Sequence, residues 1–264
     1  MGKKITGMFV KDNALHFVSG SDIWSVTDNG KEPNEWEPVL FANVGASEEF
    51  IEQLSCELPE LLGASSIHGE NRKKVEEAIM VLLTEGLMPA FENLKKIRLS
   101  INETPSELER RQNYESFARE LWHAYADLMP RTAKLLGFEL RFLFKDDKKF
   151  ENGVKEFEQK HPELSGKFCN AMREQRLRWH NELGDFRNDC LEHRKDDISK
   201  YDKFYESTYA ELLFHNVWRV IADILPTLIA MHFSPGVNIE EIPAGERDCN
   251  RPRRFRYIRK VSSQ

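Results

Sequence analysis

The period of the hydrophobic positions changes near residue 45. Before it, Met8-Phe9-Val10, Leu15-His16-Phe17-Val18 and Ile23-Trp24-Ser25-Val26 are short β-favouring runs. Lys11-Asp12-Asn13 and Ser19-Gly20-Ser21-Asp22 separate them with turn-forming residues. The pattern predicts a small meander of two or three strands within 1–45. Asp28-Asn29-Gly30, Pro33 and Pro38 predict a loop after it.

From there on, apolar residues recur at helical spacing. Ser47 suits an N-cap, with Glu48 and Glu49 in the first turn, and opens a helix that runs toward Leu62 and stops at Gly63. A second helical stretch covers roughly 71–102, where Gly86 and Pro89 predict a kink or a break. Thr104-Pro105-Ser106-Glu107 is the clearest start signal, with Thr104 as cap, Pro105 at the first helical position and Glu107 able to reach back. Phe117, Leu121, Trp122, Tyr125 and Leu128 share one face of the helix that follows, and Pro130 predicts a bend. Residues 138–144 alternate partly like a strand, but length and context predict helix. Residues 145–168, with Gly153, Pro162 and Gly166, predict a connector holding a short helix. A long helix over about 164–194 ends at Lys195-Asp196-Asp197, and a last one covers about 202–232 with Pro226 as a late kink. The expected fold is mainly α: an antiparallel bundle of five or six long helices with a small N-terminal β meander. Its divisions are 1–45, a β-rich appendage; 46–233, the bundle; and 234–264, a loop and basic tail.

Composition narrows the function. A chain of 264 residues, 40% hydrophobic, buries a core without a metal or disulfide staple. The formal net charge of −6 means that nucleic acid would have to be met by a local basic patch. The tail supplies one: Arg251, Arg253, Arg254 and Arg256, interleaved with Phe255 and Tyr257. These can grip RNA by charge and stacking. They fit better a solvated tail, or a strand that shields an edge of the meander. Cys56, Cys169, Cys190 and Cys249 form no CxxC pair. The N-terminus has Lys3 and Lys4 without an apolar run behind them, and Gly2 with Thr6 is a short match to a myristoylation signal. The apolar stretch 212–233 carries Asn216, Arg219 and Asp223 about one turn apart, which fits a core helix better than a membrane span. A cytoplasmic location is expected. No phosphate-binding loop, dinucleotide glycine motif or nucleophile elbow is present. Trp122, Tyr125, Tyr205, Tyr209 and Trp218 fall at helical spacings and read as core.

One segment offers chemistry. On a helical wheel Trp179, Leu183, Phe186 and Cys190 form an apolar stripe, with Arg187 on one flank and His193 on the other. Both flanks are about a third of a turn apart, at the edge of the buried face. Arg187, Asn188 and, after five intervening residues, His193 resemble the signature of the HEPN superfamily (higher eukaryotes and prokaryotes nucleotide-binding). The resemblance covers this helix and, through the all-helical setting, a few more. It implies an endoribonuclease that needs no metal or other cofactor. The RNA 2′-OH attacks the adjacent phosphate, leaving a cyclic phosphate and a 5′-OH end. His193 would be general base or acid, Arg187 would hold the phosphate and stabilise its added charge, and Asn188 would orient a phosphate oxygen or the histidine. It further implies a homodimer that joins two motifs, and a defence or toxin–antitoxin setting with a cognate inhibitor protein.

The same residues have a structural reading. Arg187 can bridge a carboxylate on a neighbouring helix. Asp189 and His193 are spaced for a pair on one helix, and His193-Arg194-Lys195 suits a helix C-terminus. The protein is then a non-catalytic helical scaffold or interaction protein. Glu182, Asp185, Asp189 and Glu192 make the neighbourhood acidic, which opposes a phosphate backbone unless those groups point away. Their spacing lacks the Glu-x-x-His pairs of bundle metal sites, so no metal is expected. His180, two turns before Arg187, reads as a packed or solvent-facing histidine.

Overall fold

A computed structural model of the chain describes residues 5–11, 14–19, 22–26, 39–43, 50–51, 53–100, 106–164, 166–188, 205–235, 237–242 and 255–259. Most of them are helical. Strands β1 (Ile5–Lys11), β2 (Ala14–Ser19), β3 (Asp22–Val26) and β4 (Val39–Asn43) pair antiparallel in sequence order. Six longer helical runs follow among the described residues. Helix α1 spans 53–63, α2 spans 69–100, α3 spans 107–135 and α4 is Asp147–Lys160. Helix α5 runs from 167 to residue 188, where its described part ends, and α6 is Ser207–Ala230.

Proline explains why the long runs bend without breaking. A proline inside a helix has no N–H for the carbonyl four residues upstream, and its ring collides with that carbonyl. Here π-helical turns at Gln53–Glu57, Leu82–Leu87 and His123–Leu128 each end two residues before a proline: Pro59, Pro89 and Pro130. The wider turn moves the carbonyls out of register with the ring. The expected break at Gly86 and Pro89 is therefore a π turn inside one continuous helix. Pro226 is handled differently. It lies within α6, and the carbonyl four residues before it, Ala222 O, accepts a 2.8 Å hydrogen bond from Gln53 Nε2. Gln53 is 1% exposed, so a side chain from α1 supplies the missing donor in a dry place.

The π turns of α2 and α3 lie against each other. A Cβ on Gly86 would come within 2.8 Å of Ala124 Cβ and 3.0 Å of Leu128 Cδ1, so the two backbones approach as only glycine allows. Phe50, Phe91, Phe214 and Trp218 fill the centre beside this crossing, with ring centroids 5.4–6.4 Å apart. Arg98 of α2 makes a two-pronged ion pair with buried Glu211 of α6, one prong being 2.6 Å long. Burial nevertheless outweighs the guanidinium and lifts the Glu211 carboxyl above its ordinary pKa.

Several expectations need correcting. The cap of α3 is Ser106: its hydroxyl accepts from Glu109 N at 3.2 Å, and Glu109 accepts from Ser106 N, a complete capping box. Thr104 and Pro105 lie outside the described residues, as does Ser47. Residues 138–140 are irregular and Arg141–Phe144 is a single 3₁₀ turn rather than a helix. The expected connector holds all of α4, where Gly153 sits so close to Phe142 that a Cβ would meet its Cβ at 2.3 Å. The segment from 234 onward is not loop alone. Strands β5 (Val237–Glu241) and β6 (Phe255–Arg259) form an antiparallel pair, and the Phe255 N–H donates to the buried Glu57 carboxylate of α1. Thus β6 pairs with β5 and not with the N-terminal meander. Helix α6 is long and apolar enough over Tyr209–Ala230 to cross a membrane by length and composition, and 78% of its most apolar stretch is buried inside the protein.

Two stability predictions follow from the backbone. Gly86→Ala, which would favour an isolated helix by about 1 kcal/mol, instead lowers stability by about 1–3 kcal/mol through overpacking on Ala124. A midpoint of urea unfolding at or above the wild-type value would contradict the close crossing. Gln53→Met leaves the Ala222 carbonyl bare and costs about 1–3 kcal/mol. The same change costs less in a Pro226→Ala background, because residue 226 then offers its own N–H. A double-mutant cycle with no coupling would show that Gln53 does not serve this carbonyl.

Candidate functional site

Helix α5 positions the candidate residues. Its N-terminal half is anchored by Arg176, 9% exposed. That guanidinium donates to Leu143 O at 3.0 Å, Lys145 O at 2.7 Å and Asp147 Oδ1 at 2.9 Å, and lies 4.5 Å from the Phe150 ring centroid. The buried stripe is Trp179, Leu183 and Phe186, as expected; Cys190 lies outside the described residues. On the adjoining face, His180, Gly184 and Arg187 all meet Trp122 of α3. The His180 ring centroid is 5.7 Å from that of Trp122. A Cβ on Gly184 would meet Trp122 Cη2 at 3.2 Å. The Arg187 guanidinium carbon is 6.0 Å from the Trp122 ring centroid, at the outer range of cation–π contact.

Arg187 is half-buried and Asn188 exposed, at the end of the described part of α5. Arg187 Nη1 donates to Asn188 Oδ1 at 3.1 Å. The structure brings these two predicted residues together beside Trp122. His193, Asp189 and Glu192 lie outside the described residues. Of the remaining acidic neighbours, Asp185 is exposed. Glu182 turns toward α6, where its carboxylate accepts the Tyr209 hydroxyl at 2.9 Å. Burial and that carboxylate together hold the Tyr209 phenol far above its ordinary pKa.

His180 is packed rather than solvent-facing. It is 5% exposed, its Nδ1 is 3.2 Å from the Tyr125 hydroxyl, and Trp122, Phe144 and Trp179 surround it. Burial, with Arg176 as a lesser cause, pulls the imidazole down from 6.5 to about 4. Its neutral form is the native one at neutral pH, so it holds a structural hydrogen bond. Burial likewise raises the Tyr125 phenol.

In the basic tail, Arg256 is on β6 and exposed, 2.9 Å from Glu240 of β5. Arg251, Arg253 and Arg254 lie outside the described residues. Among the described residues no group of three or more His, Cys, Asp or Glu side chains is placed to hold a metal ion. Helical spacing marks Trp122 as a core residue and gives no sign of its contact with Arg187. The available signal was Gly184, a residue without a side chain one turn before Arg187, which leaves room for an indole. No known family model matches the chain, and no curated protein or solved structure matches it.

The low pKa of His180 has a measurable effect on stability. Between pH 6.5 and about 4 the unfolded chain takes up a proton that the folded chain refuses, so unfolding is favoured as pH falls through this window. The shift corresponds to on the order of 3 kcal/mol, fully present above pH 6.5 and lost toward pH 4. His180→Phe should flatten that part of the stability–pH curve, measured by denaturant unfolding at a series of pH values. An unchanged slope would mean that other groups carry the acid sensitivity.

Proposed function

We propose that this chain is a HEPN-like, metal-independent endoribonuclease that works as a homodimer. The supporting observation is the half-buried Arg187 at the rim of α5, its guanidinium over Trp122 and in hydrogen-bond contact with exposed Asn188. An arginine fork steadied against an indole and an amide loses less freedom when it meets a phosphate. In this reading the antiparallel helical bundle is the catalytic body and the N-terminal meander an appendage. His193, six residues beyond Arg187, exchanges protons in the reaction. One histidine takes the 2′-OH proton as the 2′ oxygen bonds to phosphorus. The P–O5′ bond breaks, and the partner subunit's second motif returns a proton to O5′. Arg187 stabilises the charge added at phosphorus. The engagement of Glu182 by Tyr209 removes one carboxylate from the approach of an RNA backbone. The Arg256–Glu240 pair is exposed, and such pairs contribute only about 0–1 kcal/mol, so Arg256 can exchange its partner for a phosphate together with Arg251, Arg253 and Arg254. The setting is cytoplasmic defence or toxin–antitoxin function, with an inhibitor protein as a further partner.

The Arg187–Trp122 contact also favours a second reading, a non-catalytic scaffold in which Arg187 is structural. Cleavage of a labelled RNA in excess EDTA separates the two. The nuclease reading expects 2′,3′-cyclic phosphate and 5′-OH ends, with rates reduced by about a hundredfold or more in Arg187→Ala and in His193→Ala. Both variants should remain folded by circular dichroism. Equal cleavage by all three proteins, or cleavage that EDTA abolishes, would sink it. Absence of cleavage by the folded wild type, with a lower unfolding midpoint for Arg187→Ala, favours the scaffold.

A further inference from the structure

Helix α5 contains a π turn, Arg176–His180, that no proline accounts for: the chain has none between Pro162 and Pro226. Such turns are rare and recur at functional sites. Within this one Arg176, Trp179 and His180 are all buried. A cavity of about 500 Å³ lies beside it, between α5 and α6, with the volume of a small-molecule site. Gln175, the residue before the turn, lines the cavity, and so does Tyr125 from the π turn of α3. Phe168, Met172, Leu143, Leu164, Val220 and Ile224 give it apolar walls.

Gln175 is the polar group that this arrangement prepares. Its Oε1 accepts the Trp179 indole N–H at 2.6 Å. An indole N–H only donates, so the bond fixes which end of the amide is oxygen and leaves Nε2 with two N–H donors. Among the described residues no acceptor meets Nε2. The other polar side chains of the lining are engaged. The Tyr125 hydroxyl is 3.2 Å from His180 Nδ1, and Thr227 Oγ1 donates to Asp223 O at 2.7 Å. Glu163 faces His161 Nδ1 at 3.6 Å, and Asp223 has an interaction of its own. No lysine or arginine is among the described lining residues. An anion here would meet two carboxylates and no base. An ammonium would meet N–H donors that repel it, and carboxylates already in use.

We infer that this cavity binds a neutral apolar molecule that carries a carbonyl group, its body between α5 and α6 and its oxygen accepting from Gln175 Nε2. The site does not depend on the nuclease reading. The bond to Trp179 holds the amide before a ligand arrives, so little side-chain freedom is lost on binding. One placed donor among apolar walls then sets the orientation of the guest. Ala171 is exposed at the cavity wall, so a bulky residue there fills space without displacing core.

Isothermal titration calorimetry on the full chain tests this at about pH 8, where ordinary carboxyl groups are ionised. The probes share a phenyl ring and a four-carbon chain: butyrophenone, butylbenzene, 4-phenylbutylamine and 4-phenylbutanoate. Butyrophenone should bind at one site per chain, about three- to tenfold more tightly than butylbenzene, which is the worth of one neutral hydrogen bond. Both charged probes should bind at least about tenfold more weakly than butyrophenone. Gln175→Glu keeps an oxygen for the Trp179 N–H and replaces the N–H donors with a second acceptor. It should cancel the advantage of butyrophenone over butylbenzene and tighten 4-phenylbutylamine about threefold or more. Ala171→Trp should abolish binding of all four while the unfolding midpoint stays near that of the wild type. Should that variant prove unfolded, Ala171→Leu takes its place and should weaken butyrophenone by about fivefold or more. The proposal is overturned by no butyrophenone binding, by equal affinity for butyrophenone and butylbenzene, or by tighter binding of either charged probe. An unchanged preference in Gln175→Glu, or unchanged binding by the folded Ala171 variant, would overturn it as well.

Discussion

The packing of α2 on α3 depends on a place where the two helices meet with nothing larger than a methyl group between them. Gly86 brings the α2 backbone onto Ala124. That approach occurs within π turns on both helices, each ending two residues before a proline. The same local widening that relieves the proline also opens the helix surface for a near neighbour. The aromatic centre of Phe50, Phe91, Phe214 and Trp218 joins α2 to α6. Two backbone problems are therefore resolved in different currencies: geometry for Pro89 and Pro130, a borrowed side chain for Pro226.

Four polar contacts in the interior tie elements that are distant in sequence. Arg98 reaches Glu211, Glu57 reaches the β6 backbone, His180 reaches Tyr125 and Gln53 reaches Ala222. Losing one partner of such a contact strands the other in a dry site. These contacts specify which helix lies beside which, a task that interchangeable leucines perform poorly.

Much of this was legible in the chain. Helical periodicity located the other helical runs but not α4, which lies in what reads as a connector; the core face repeats through Phe117, Leu121, Tyr125 and Leu128 in α3 and along most of α6. Punctuation was read less well. Thr104-Pro105 and Ser106 both fit a helix start, and the choice depends on Glu109 completing the box, a residue the local motif did not include. The π turns were invisible, since proline marks a disturbance without saying whether the helix breaks or widens. The β5–β6 pairing was missed because its strands are separated by a long intervening segment, and the basic residues of β6 drew attention to charge over pattern. At the candidate site, the edge position of Arg187 followed from the wheel. The indole beneath it did not, because Trp122 belongs to another helix and only the vacancy at Gly184 hinted at it.

Arg176 has a consequence for how the molecule opens. Its guanidinium is bonded to two carbonyls and a carboxylate of the segment leading into α4 and covers the Phe150 ring. That segment has one 3₁₀ turn and few hydrogen bonds of its own, so most of its order is lent by α5. Detaching α5 would expose a charge and unclasp the connector in the same event. Residues 141–150 and the N-terminal half of α5 then behave as one cooperative unit, whose amide protons exchange with solvent at a common free energy. The end of α5 that carries Arg187 lies beyond that clasp and is held instead by buried Leu183 and Phe186 and by its packing on Trp122.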